Sequence, residues 1–296
     1  MTKYKIKTNK KFGFKAVTPL PSYKDINKFY EEEFYSGEYK HFNNSEKEVQ
    51  LKDLDNNIFW WDHIWDILKE KFESKSKKIS SVVDVGCGWG LMLTHFVKDK
   101  NVYGFGLDPA AKAVEYLQEQ GVDALVSGLE NLDIIEKKFD IVLLNNVLEH
   151  LRDPIAVLHQ IDQHLHESGG ALVIEVPNDF NVFQQAAQKA YDLKPWWIAP
   201  PAHLHYFSLD SLKNVLTECG YEIFYYESSF PMEMFLLFGQ NYIENADLGR
   251  DLHKMRINFE QNLLNNGHSN TLFDLYKVLA KNGLGRTIRV YATRKQ

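Results

Sequence analysis

The run Val82-Val83-Asp84-Val85-Gly86-Cys87-Gly88-Trp89-Gly90 sets three alternate glycines at the end of a β-branched stretch. Such glycines let the backbone turn sharply and let a ligand approach the main chain with no Cβ in the way. Asp84 stands just before the first of them, and Asp108 closes the next β-rich run, Val102 to Leu107. A carboxylate at the end of that second run suits a pair of ribose hydroxyls, which donate to it as a charged acceptor. A structural glycine turn without a ligand is the competing reading.

The spacing discriminates between ribose-bearing cofactors. A dinucleotide fingerprint reads G-x-G-x-x-G, and its third glycine would fall on Leu91. Here the pattern is G-x-G-x-G, ending on Gly90, and Asp84 adds a carboxylate within the strand end. That charge repels a pyrophosphate and attracts an ammonium or a sulfonium. The residues point away from NAD and toward S-adenosyl-L-methionine.

Histidines supply the second chemistry. His150 follows Glu149 just beyond the run Phe139 to Leu144. An imidazole titrates near neutral pH, so His150 is a candidate general base, or else it orients the helix opened by Pro154. His203 and His205 are two residues apart, which on an extended segment projects both to one side. His205 is the second candidate base. Two histidines need further ligands to hold a metal, and no third ligand is identifiable, so no metal is assigned. Trp196-Trp197 and Tyr206-Phe207 are either an aromatic acceptor pocket or core. Cys87 reads as a small buried residue beside the ligand, since nothing lowers its thiol pKa.

These groups must be held by a sheet. From residue 80 the chain alternates β-rich and helical stretches: strands at Ser81–Val85, Val102–Leu107, Val122–Ser127, Phe139–Leu144, Ala171–Val176, Tyr221–Glu227 and Thr287–Thr293. Helices are expected at Leu91–Lys98, Pro109–Glu119, Pro154–His166 and Leu209–Cys219. The alternation predicts an α/β fold, a doubly wound and mainly parallel seven-strand sheet. The last strand is expected antiparallel beside Tyr221–Glu227. Three parts follow: an N-terminal helical and aromatic lid segment over 1–79, the sheet domain over 80–228 plus 287–296, and a helical insertion over 229–286. The lid aromatics are Tyr23, Phe29, Tyr30, Phe34, Tyr35, Tyr39 and Phe42, while Ile58, Trp61, Trp65, Leu68 and Phe72 mark one apolar helix face.

Composition narrows the class. The 296 residues are 44% hydrophobic and 25% charged, enough for a packed core. Lys plus Arg is 34 against 40 for Asp plus Glu, a net charge of −6, which argues against nucleic acid as the main ligand. Two cysteines make no disulfide framework. No apolar run is long enough to cross a membrane, and the first residues lack a signal-peptide core, so a cytoplasmic location is expected.

The stretches Val83–Gly90, Gly106–Pro109, Phe139–Pro154, Gly169–Asn178 and His203–Ser208 together resemble the class I S-adenosylmethionine-dependent methyltransferases. Within that family they are similar to the small-molecule subgroup related to the ubiquinone-biosynthesis O-methyltransferase. The resemblance covers about 80–228 and the final strand. It implies a Rossmann-like methyltransferase fold and S-adenosyl-L-methionine as cofactor. It also implies that Asp84, Gly86, Cys87, Gly88 and Gly90 border the methionine end, with Asp108 and Pro109 at the ribose. Gly128, Leu129 and Glu130 would lie by the adenine, and Asn145 and Asn146 by the reactive methyl. The expected reaction is methyl transfer to a small molecule, a hydroxyl of a sugar or secondary metabolite, with no nucleic acid and no membrane partner. The oligomeric state is open, a homodimer being one arrangement. An NAD-dependent oxidoreductase and a catalytically silent scaffold are the alternatives.

Overall fold

The computed structural model describes residues 4–29, 47–130, 132–167 and 169–295. The chain opens with β1 (Lys5–Thr8), β2 (Lys15–Thr18), α1 (Tyr23–Phe29), α2 (Lys47–Lys52) and α3 (Leu54–Glu73). Next come β3 (Ser81–Val85), α4 (Leu91–Lys100), β4 (Tyr103–Asp108), α5 (Ala111–Glu119), β5 (Asp123–Val126) and β6 (Ile141–Asn145). They are followed by α6 (Pro154–His164), β7 (Ala171–Pro177), α7 (Val182–Ala190), β8 (His205–Tyr206), α8 (Leu209–Glu218) and β9 (Tyr221–Ser228). The last elements are α9 (Glu233–Leu237), α10 (Ala246–Asn265), α11 (Ser269–Lys281) and β10 (Thr287–Arg294).

Seven strands form one sheet in the order β5-β4-β3-β6-β7-β10-β9. β3 pairs in parallel with β4 on one side and β6 on the other, so the strand order reverses at β3. A crevice opens at the carboxyl ends of strands flanking such a reversal, which puts the glycine turn at the binding edge. β10 runs antiparallel to both β7 and β9, as expected from the sequence. All five residues of β3 are buried, the signature of a strand covered on both faces by helices. Val83, Val85, Val142 and Leu144 pack into one core layer; Val82, Ile141, Leu143 and Val173 pack into the other. Each such side chain contributes about 1.5–3 kcal/mol of burial.

The N-terminal segment departs from the expectation. It is not helical throughout: β1, β2 and β8 make a second, three-stranded antiparallel sheet. β2 pairs with β8 through Lys15↔Tyr206 and Ala16↔His205. Four-residue strands with only partial burial leave too little periodicity to be read without their partner. Of the lid aromatics, Tyr23 is exposed and Phe29 is buried, and Tyr30, Phe34, Tyr35, Tyr39 and Phe42 lie outside the described residues. The apolar face of α3 is as read: Leu68 and Phe72 are buried, with Trp61 and Trp65 packed against the same cluster.

Where α8 begins, Ser208 Oγ accepts from the Ser211 amide at 3.3 Å and Ser211 Oγ accepts from the Ser208 amide at 2.8 Å. This reciprocal cap satisfies two helix-end donors. Ser208→Ala is expected to destabilise the fold by about 1 kcal/mol, read as a lower urea midpoint at unchanged slope.

Candidate active site

The turn between β3 and α4 is tied to β4 through its backbone. The amides of Gly86 and Cys87 donate to the Leu107 carbonyl at 2.6 and 3.1 Å. Gly86 has φ +78°, and a Cβ there would stand 2.4 Å from Val147 Cγ2, so glycine is required by conformation and by space. Gly88 has φ +51° and, among the described residues, nothing within 4 Å of where its Cβ would be. The main chain there faces open space, as a ligand-cradling turn must.

Two carboxylates flank this turn. Asp108 Oδ2 accepts from the Gly88 amide and Oδ1 from the Ala110 amide, both at 2.8 Å. A carboxylate accepts more than one hydrogen bond per oxygen, the property a ribose-diol acceptor needs. The Oδ1–amide bond also explains why α5 starts at Ala111 instead of Pro109. Asp84 is 4% exposed, and among the described residues its Oδ1 has no hydrogen-bond donor. Burial, reinforced by Asp108, raises its pKa to about 7. A buried acceptor without a donor costs free energy until a cation or a donor meets it. Burial also raises the Cys87 thiol, so it stays protonated and is no nucleophile.

The remaining sequence candidates spread along the same edge. Leu129 Cδ1 approaches the position of a Gly86 Cβ, while Gly128 is exposed. Glu130 accepts from the Arg152 amide, and Arg152 reaches the Pro21 carbonyl through Nε at 2.8 Å and stacks over Tyr23. It therefore anchors the N-terminal segment. Asn146 has φ +52° at the end of β6.

Asp84, Asn145 and Asn146 line a cavity of about 550 Å³. Its other walls come from α3, α10, α11 and the top of β10: Trp60, Trp61, Arg256, Tyr276 and Arg286. Trp60 stacks on Tyr276 at 5.4 Å and 19°. Glu260 holds this wall together, accepting from Trp60 Nε1 at 3.4 Å, Arg256 Nη1 at 2.8 Å and the Tyr276 hydroxyl at 2.5 Å. Below it Glu227 accepts from His63 at 2.8 Å, Arg289 at 3.0 Å and Tyr291 at 2.9 Å. Although burial opposes ionisation, the His63 and Arg289 contacts hold Glu227 below the usual carboxylate range. α3 is thereby tied to β9 and β10 beneath the cavity.

Neither candidate base lines this cavity. His205 is 5% exposed, with Phe14 edge-on at 5.2 Å and Phe207 at 6.1 Å. His150 Nδ1 bonds the Ala202 carbonyl at 2.9 Å, and its Nε2 stands 3.7 Å from Glu149 Oε1. Burial lowers both imidazoles to about 4, so both are neutral at pH 7. Glu149 is 1% exposed and burial pushes its carboxyl well above the usual range. His203 turns away from His205 and toward His150, with ring centroids 5.0 Å apart. Trp197, Tyr206 and Phe207 are buried in packing and absent from the cavity wall, so their acceptor-pocket reading is replaced by the core one.

The family described as Methyltransferase domain matches residues 61–226. The chain belongs to this family. The methyltransferase shares its fold with the solved plantazolicin methyltransferase BpumL in complex with SAH, at 16% identity and a TM-score of 0.54. That match covers 92% of this chain and 94% of the other. The solved plantazolicin methyltransferases BamL and BpumL were each determined in complex with SAH. The orphaned Asp84 oxygen and the open side of Gly88 fit a ligand that carries an amino group and lies along the main chain.

Curated relatives extend the comparison. The tRNA U34 carboxymethyltransferase of Sulfurovum sp. (strain NBC37-1) is 27% identical over 133 residues, 43% of each chain. That of Aliarcobacter butzleri (strain RM4018) is 24% identical over 182 residues, 58% of this chain and 57% of the relative. The methyltransferase thus spans about half the length of the curated relatives it matches.

These names overturn the expectation of a small-molecule acceptor with no nucleic acid. That expectation used the net charge of −6, and a sum over the chain is blind to local clustering. Lys71, Lys75, Lys213, Arg294 and Lys295 line a groove of about 750 Å³ in which Glu222 is the only acid. The groove sits where β9 starts and β10 ends, at the sheet edge opposite the glycine turn. No helix among the described residues is long and apolar enough to cross a membrane.

Proposed function

We propose that the methyltransferase transfers a methyl group to a nucleoside of an RNA acceptor seated in the cavity between Asn145 and the Trp60–Tyr276 pair. The observation that carries this reading is that one cavity joins Asp84, Asn145 and Asn146 at the strand ends to a wall of stacked aromatics and arginine. Unstacked RNA bases are recognised by aromatic faces and guanidinium planes, at about 1–3 kcal/mol per stacked base. The relatives named for tRNA and the basic groove support the same acceptor class.

In this reading Asp84 takes the cofactor's ammonium, the Gly86–Gly90 turn with Cys87 lies along its methionine end, and Asp108 and Pro109 hold the ribose. Gly128, Leu129 and Glu130 border the adenine, while Asn145 and Asn146 flank the methyl. When bound, the cofactor supplies an electrophilic methyl on a positively charged sulfur. The chain's own contribution is to align the acceptor and exclude water, which accelerates a bimolecular step without a covalent intermediate. In the same reading α3, α10 and α11 wall the cavity beside the domain formed by 80–228 and 287–296. No proton transfer is assigned to His150 or His205, since neither lines the cavity.

Incubation with methyl-labelled cofactor and total tRNA is expected to place label in acid-precipitable RNA, resolving to one modified nucleoside after nuclease digestion. Changing Lys71, Lys75 and Lys213 together to glutamate is expected to raise the KM for tRNA and flatten its salt dependence. Unlabelled tRNA beside a labelled low-molecular-weight product from a metabolite extract overturns the reading.

A further inference from the structure

The loop after β6 and the segment before β8 meet at a point the cofactor does not reach in the reading above. Glu149, His150 and His203 each present a ligand atom there, all within 4.8 Å of one another. Glu149 is 1% exposed, and among the described residues neither of its carboxylate oxygens has a hydrogen-bond donor. An uncompensated carboxylate in the interior is costly, and coordination of a cation is one of the few ways to offset it. The backbone around it is fully engaged: the Glu149 carbonyl accepts from the Leu204 and His205 amides at 2.8 and 3.1 Å. That pairing fixes the two loops against each other and holds the three side chains together.

The surroundings are those of a metal's outer shell. His150 bonds the Ala202 carbonyl through Nδ1 at 2.9 Å, which sets that nitrogen as the donor, and its Nε2 stands 3.7 Å from Glu149 Oε1. A ligand histidine is commonly oriented in this way by a carbonyl or a carboxylate on its other nitrogen. Asp179 Oδ2 stands 4.0 Å from His203 Nδ1, beyond hydrogen-bond distance. Neighbouring ligands of a tetrahedral site are separated by roughly 3.3 Å when metal–ligand bonds are about 2.0–2.1 Å. The ligand atoms, within 4.8 Å of one another, close in by up to about 1.5 Å to reach that spacing.

We propose that Glu149, His150 and His203 form a binding site for a borderline first-row divalent cation, zinc fitting best. Two imidazoles and one carboxylate suit zinc, whereas magnesium and calcium prefer an all-oxygen shell. The cation clamps the loop after β6, which opens with Asn146, to the segment leading into β8. It is independent of the acceptor's identity.

The full chain is stripped with a chelator, equilibrated with Zn2+, desalted and assayed by elemental analysis and thermal shift. Near-stoichiometric zinc and a raised Tm are expected. Co2+ in its place is expected to give the intense visible absorption of a low-symmetry site. Glu149→Gln and His203→Ala are each expected to weaken zinc binding at least tenfold, with His205→Ala, two residues away and outside the cluster, as the retaining control. S-adenosylhomocysteine titration of every variant reports whether the fold and the cofactor site survive. Less than about a tenth of an equivalent of zinc in the wild-type chain overturns the proposal. So does equal retention of zinc by Glu149→Gln and His203→Ala, or a Tm response to Mg2+ but not to Zn2+.

Discussion

Asp84→Asn is expected to lower the affinity for S-adenosylhomocysteine roughly 30- to 5,000-fold, the ~2–5 kcal/mol lost when one partner of a buried charge pair is removed. The free protein is expected to respond in the opposite sense. In the free protein Asp84 Oδ1 has no donor among the described residues, and burial followed by the Asp108 charge raises the carboxyl from 3.8 to about 7. A raised folded-state pKa means the protonated form is favoured in the fold. The contribution of this group to stability is thus full below pH 3.8 and is lost as pH rises toward 7. At pH 8 the Asp84→Asn variant should have a Tm equal to or above that of the wild type without ligand, and below it with saturating S-adenosylhomocysteine. The wild-type affinity should fall about tenfold per pH unit below 7, because the ammonium pairs with the ionised carboxylate only. Calorimetry in buffers of different ionisation enthalpy should show proton release on binding at pH 6 and almost none at pH 8.5. A flat affinity from pH 5.5 to 8 would remove Asp84 as the ammonium's partner.

Asp108→Ala is expected to weaken S-adenosylhomocysteine by about 10- to 150-fold, or ~1.5–3 kcal/mol for a charged acceptor. Two losses combine. The variant frees the Gly88 and Ala110 amides, each held at 2.8 Å, and so loosens the turn itself. It also removes the acceptor proposed for the ribose hydroxyls. Comparison with a ligand lacking the 2′-hydroxyl separates them. A double-mutant cycle between Asp108→Ala and 2′-deoxy ligand should show coupling if Asp108 holds the ribose, and simple additivity if it only shapes the turn. Titration calorimetry reads all four corners.

Local pattern carried much of this protein. The strands at Ser81–Val85 and Ala171–Pro177, and the helix from Pro154 closed before Gly169-Gly170, are set by residues adjacent in the chain. β-branched runs, capping residues and glycines act over a few positions, and their alternation dictates a parallel sheet. The glycine turn with Asp84 and Asp108 was legible for the same reason, because both carboxylates sit at fixed offsets from strand ends. Short β1 and β2 were not, since β2 is stabilised by pairing with His205–Tyr206 far along the chain.

What only the tertiary structure decided is which distant residues meet. The sequence by itself determines the sheet, the turn and the family resemblance, because each rests on local spacing. It does not distinguish Trp60 and Tyr276, which wall the cavity, from Trp197 and Tyr206, which are buried in packing. An aromatic side chain has the same propensity in either place, and its role depends on what the fold brings opposite it. Equal spacing suggested that His203 and His205 act together, yet one faces Glu149 and His150 and the other faces Phe14. The alternation rule holds within a regular strand, and β8 begins only at His205. Net charge likewise sums over the chain, whereas the basic groove exists only because the end of α3, α8 and the ends of β9 and β10 converge.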